Sequence, residues 1–101
     1  MMETLAGTKI ISDEQETSHV LHYLLVSRQI PAGNFFFEEY GVRIEDVGHD
    51  SACVYPITHS RTRIEALLSV LIRHAVTPVS LTAVVEDWAK ENRLPQVSGR
   101  R

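Results

Sequence analysis

The chain has 101 residues, 44% of them hydrophobic, with 10 Lys+Arg against 13 Asp+Glu and a formal net charge of −3. One domain of this size can bury a core without metal or disulfide staples, and the acidic balance argues against nucleic acid as a partner. Cys53 is the single cysteine, no apolar run reaches the roughly 20 residues of a membrane helix, and no basic-then-apolar leader opens the chain, so we expect a cytoplasmic protein with no membrane partner.

Residues 1–17 are mostly polar and acidic, with Gly7 and the run Asp13-Glu14-Gln15-Glu16. They predict a loosely ordered N-terminal arm, in which Lys9-Ile10-Ile11 offers a short fourth edge strand. The domain proper is expected over residues 18–94. Its first strand is the aromatic and branched run Val20-Leu21-His22-Tyr23-Leu24-Leu25-Val26, and Pro31-Ala32-Gly33-Asn34 reads as a hairpin turn. From Phe35 to Val47 the pattern alternates, which puts Phe36, Tyr40, Val42 and Ile44 on the core face and Phe35, Phe37, Glu39, Arg43 and Glu45 on the other. After Gly48-His49-Asp50, Ser51 to Ile57 predicts a third strand whose Pro56 suits an edge.

The period then changes to that of a helix. Thr62 with Glu65 fits a capping box, Ile64, Leu67, Leu68, Leu71 and Ile72 make an apolar stripe, and Arg73 and His74 close the last turn. Only Ala75-Val76 precedes a second start signal, Thr77 as cap with Pro78 in the first turn, followed by the face Leu81, Val84, Val85, Trp88. That helix is expected to run to about Asn92, before Pro95, leaving 95–101 as a disordered polar tail. The fold class is α+β: a three-stranded antiparallel meander followed by a two-helix hairpin packed on one sheet face.

Tyr40-Gly41-Val42, then Ile57-Thr58, then Thr77-Pro78-Val79-Ser80-Leu81 and Val84-Val85-Glu86-Asp87-Trp88 carry a family likeness. On these marks the stretch from Leu21 to Ala89 resembles a family of short uncharacterised proteins from clostridial Firmicutes, a domain of unknown function. The resemblance implies a compact strand-then-helix domain and brings no catalytic residue, cofactor or substrate. Phe35-Phe36-Phe37 and the histidines lie outside its pattern.

Five histidines and one thiol suggest a metal site in which His49, Cys53 and His59 converge with Asp50, or a Cys53 thiolate paired with His49 or His59. The spacing lacks the close ligand pairs of structural zinc sites, and Ala52, Val54 and Tyr55 describe a strand in which cysteine acts as a small hydrophobe. His19 and His22, three apart on a strand, point to opposite faces and make poor co-ligands. Glu38-Glu39, Glu45-Asp46 and Glu86-Asp87 read as solvated carboxylates, and Arg61 and Arg63, with Arg28, Arg43 and Arg73, form at most a small basic patch. We therefore assign no catalytic residue, cofactor-binding residue or metal ligand. The expectation is a non-enzymatic protein-interaction or regulatory domain whose partner is a protein, a second copy of the chain (a homodimer) included. Its interface is an exposed sheet face or edge around Phe35, Phe37 and Arg43. The alternative is a small metal- or thiol-dependent site around His49, Cys53 and His59.

Overall fold

The computed structural model describes residues 1–93; the expected tail at 95–101 lies outside the described residues. Four strands follow one another, β1 (Met2–Ser12), β2 (Ser18–Ala32), β3 (Phe35–Asp46) and β4 (Ser51–Thr58), and pair in the order β1-β2-β3-β4, all antiparallel. Helix α1 (Arg61–Arg73) comes next, then a 3₁₀ turn at Pro78–Ser80 and helix α2 (Leu81–Arg93). The strand-then-helix order is as expected, and the short fourth edge strand offered at Lys9-Ile10-Ile11 is present as a full-length strand. The stretch read as a loose arm is β1, paired with β2 from Met2 to Ser12. Its polar composition concealed this because an edge strand with one solvated face needs few apolar residues. One of those it has, Ile11, packs against the core.

Alternation along β2 and β3 places Leu21, Tyr23 and Leu25 beside Tyr40, Val42 and Ile44, and the helices lay Ile64, Leu67, Leu68, Leu71, Leu81 and Val85 over them. The Tyr23 hydroxyl, buried in this layer, donates to the Val76 carbonyl at 2.9 Å and ties the link between the helices to the middle of the sheet. Burial pushes its pKa up to about 12. At Gly7, where β1 bulges, a Cβ would stand 2.6 Å from Ile72 Cδ1, so the absent side chain lets α1 approach the edge strand.

The helix starts depart from the sequence reading. Ser60, not Thr62, caps α1: its Oγ accepts from the Arg63 amide at 3.2 Å, and Thr62 lies inside the first turn. Thr77 precedes the 3₁₀ turn without a side-chain hydrogen bond to it, so the second start is shaped by Pro78 and not by a hydroxyl cap. Between the helices, Val76 N–H bonds to Leu71 O and Ala75 N–H to Ile72 O, the two bonds of a Schellman motif, with Ala75 at φ 51° where glycine is usual. Trp88 is half-buried against the core, and the Arg63 guanidinium lies 5.5 Å from its ring centre.

Candidate functional site

Both helices lie on one side of the sheet, which leaves the opposite side open. By strand alternation this open face carries Leu5 from β1, His22, Leu24, Val26 and Arg28 from β2, Phe35, Phe37, Glu39, Arg43 and Glu45 from β3, and Cys53 and Tyr55 from β4. Val26 is fully buried there although it stands outside the helix-side core. Its cross-strand neighbours are Glu3 and Gly41. Over Glu3, Arg43 reaches across from β3 and donates from Nε at 2.8 Å, while its Nη1 donates to Ser51 Oγ at 3.0 Å. The Glu3 carboxylate raises the Arg43 pKa further above its ordinary range. Beside Gly41 stands the Tyr55 ring, in the space a Cβ would take: from an added Cβ, Tyr55 Cβ would be 2.8 Å away and the Val54 carbonyl oxygen 2.5 Å. The Tyr55 hydroxyl donates to Glu39 at 3.0 Å, and partial burial together with that carboxylate pushes its pKa up.

The centre of this face is thus covered by its own polar side chains, and its exposed apolar groups sit at the rim. The β2–β3 hairpin turns through Gly33-Asn34, with Gly33 at φ 65°, and pairs Ile30 with Phe37, Pro31 with Phe36 and Ala32 with Phe35. Phe35 is 76% exposed, Phe36 68% and Phe37 38%. Phe36 was expected in the core. It has the correct parity, but the hairpin runs beyond the region covered by helices, where neither face is buried. Phe37 is partly covered by an edge-on contact with His59, ring centres 4.8 Å apart. Of the three expected interface residues, then, Phe35 is open, Phe37 half-covered, and Arg43 committed to Glu3 and Ser51.

The residues of the alternative site do not come together. Cys53 is exposed on the open face opposite Arg43. His59 stands by Phe37 and Glu39, near the hairpin tip, whereas His49 lies in the turn after Asp46 at the other end of β3. Seven residue steps of extended strand from Glu39 to Asp46 separate the two by about 23 Å.

A different group converges at that far end. His19 Nδ1 is 2.9 Å from Asp46 Oδ2, its Nε2 is 3.0 Å from Asp13 Oδ2, and the His49 ring centre is 4.9 Å from its own. His19 lies diagonal to Asp46 across the β2–β3 ladder, and both occupy core-side positions one step beyond Leu21 and Ile44. Asp13 comes from the β1–β2 turn, where its Oδ1 accepts the Gln15 and Thr17 amides at 2.9 Å each; His49 comes from the β3–β4 turn. Hydrogen bonds from His19 and the turn amides pull the Asp13 pKa down, and the Asp13 and Asp46 carboxylates hold the His19 pKa up. A carboxylate thus faces each ring nitrogen, an arrangement that favours the protonated, doubly donating form of the ring. Among the described residues, His19, Asp46 and His49 are the group whose ligand atoms, within 4.8 Å of one another, could hold a metal ion. Sequence reasoning noted both histidines but not their meeting, because they are 30 residues apart by number and only strand register joins them.

A groove of about 560 Å³ lies between β1 and α1; Leu25, Leu68 and Ile72 line it, with Arg61 and Glu65 paired to each other at 2.8 Å. No helix among the described residues is long and apolar enough to cross a membrane.

A helix-backed four-stranded meander with one open face defines a small α+β protein. The chain belongs to a family of unknown function (DUF6514), whose model matches residues 2–91. No curated protein and no solved structure matches it.

Proposed function

We propose that the chain is a non-enzymatic protein-interaction or regulatory domain of the cytoplasm, and that it forms a homodimer through the hairpin tip and the adjoining open face. The observation that carries this reading is the exposure of three consecutive phenylalanines at one hairpin tip, since clustered exposed aromatics rimmed by charge are the composition of interfaces. A second copy suits the surface because the open face bears both signs of charge, Arg28 and Arg43 with Glu3, Glu39 and Glu45. A two-fold axis can therefore set acid against base. The outer edge of β1, 11 residues long and unpaired among the described residues, adjoins this face and supports sheet extension across the same axis. A lone exposed cysteine fits a reducing cytoplasm, and the resemblance of the Tyr40-Gly41-Val42 and Val84-Val85-Glu86-Asp87-Trp88 motifs to those of clostridial Firmicutes proteins supports that origin.

Light scattering coupled to size-exclusion chromatography over a range of concentrations tests the reading. A wild-type dimer that becomes a folded monomer in Phe35→Ser/Phe37→Ser supports it. A wild-type chain that stays monomeric throughout refutes homodimerisation.

A further inference from the structure

We propose that His19, Asp46 and His49 form a binding site for a divalent first-row transition-metal ion such as zinc, with Asp13 as the carboxylate that orients His19 from outside the metal's coordination sphere. The inference is independent of the dimer reading: the cluster stands at the opposite end of β2 from the phenylalanine tip.

Three features carry it. The donor set is two imidazoles and one carboxylate, which suits zinc and its first-row neighbours, while calcium and magnesium prefer all-oxygen ligands. The two nitrogens of His19 are already divided between roles: Nδ1 faces Asp46 at 2.9 Å and Nε2 faces Asp13 at 3.0 Å, while the His49 ring centre lies 4.9 Å from that of His19. A metal-binding histidine nearly always gives its second N–H to a carboxylate, a backbone carbonyl or water, which fixes the tautomer and ring orientation, and Asp13 stands in that place here. Asp13 is in turn held by two turn amides on Oδ1, which aims Oδ2 at the ring. The site is also part-buried where it must be rigid and open where an ion must enter: the side chains of His19 and Asp46 are 17% and 14% exposed, and His49 sits exposed in its turn.

Ligand atoms around a tetrahedral zinc lie about 3.4 Å apart. His19 and Asp46 already stand 2.9 Å apart, and all three ligand atoms lie within 4.8 Å of one another, so the remaining closure falls on the exposed His49 side chain. When the ion binds, it replaces the Nδ1 proton of His19, which leaves to solvent, and no redox change is involved. Three protein ligands leave a fourth position for water or for a small anionic or imidazole-like ligand.

Isothermal titration of the full chain with zinc chloride tests the site, with cobalt chloride as a spectroscopic probe of coordination. The expected result is one zinc per chain and the visible absorption of four-coordinate cobalt. Binding should weaken at least tenfold in His49→Ala and about 10–100-fold in Asp13→Asn. It should be unchanged in a triple variant, His22→Ala/His59→Ala/His74→Ala. His49→Ala is the decisive substitution, because an exposed turn side chain is removable without loss of the fold, as circular dichroism would verify. Absence of stoichiometric zinc in the wild type, unchanged affinity in His49→Ala, or loss of binding in the triple variant would overturn the proposal and leave His19 as a structural ion pair between two turns.

Discussion

Tyr23 joins the sheet to the helical layer through one hydrogen bond, and its replacement exposes how much that bond matters. Tyr23→Phe leaves the Val76 carbonyl unmatched in the core and should cost about 1–2 kcal/mol in urea unfolding. The same residue sets an alkaline limit. Its folded-state pKa of about 12 lies above the unfolded value near 10, so the unfolded chain gives up its proton first. The associated stability is fully present below pH about 10 and is lost as the pH rises to about 12. Denaturation midpoints should therefore fall across that window in wild type and fall less in Tyr23→Phe. Two glycines make a second comparison. A Cβ at Gly41 would meet a backbone oxygen at 2.5 Å, which cannot move without disturbing β4, whereas at Gly7 it meets only the end of Ile72. Gly41→Ala should lose about 1–3 kcal/mol by thermal unfolding, and Gly7→Ala distinctly less.

Among the elements, the two ends of α1 make opposite predictions. Ser60→Ala removes the side-chain acceptor of the first turn and should destabilise the protein by about 1 kcal/mol. Ala75→Gly relieves a left-handed residue in the Schellman motif and should stabilise it by about 1 kcal/mol, read as a higher urea midpoint at unchanged slope. The apolar stripes of both helices were legible in the sequence because a 3.6-residue period survives whatever it packs against. Their exact starts were not: Ser60 and Thr62 are both acceptable caps, and the choice falls to where β4 ends and the chain turns back over Tyr40. Strands β2 and β3 were legible for the same reason as the helices, with alternation over Tyr40, Val42 and Ile44. Strand β1 was legible only in part, at Lys9-Ile10-Ile11, since the rest of its residues gain their meaning only from pairing with β2.

For the molecule as a whole, the two layers predict a gradient of local stability. Amides at Leu21, Tyr23, Val42 and Ile44, under the helices, should exchange with solvent slowest. Those of the hairpin from Ile30 to Phe37 and of the β1 edge should exchange fastest, with hydrogen exchange followed by mass spectrometry as the check. Slower exchange at the tip with rising concentration would accompany dimer formation there. The sequence by itself determined the α+β class, the order of strands before helices and most of the core, because hydrophobic periodicity is a local property that burial on one face imposes residue by residue. Only the tertiary structure decided that Phe36 is exposed, that Arg43 is held by Glu3, and that His49 meets His19 and Asp46 while Cys53 and His59 stand elsewhere. Those outcomes depend on strand register and on how far the helical layer extends, and neither is encoded in the spacing of residues along one segment.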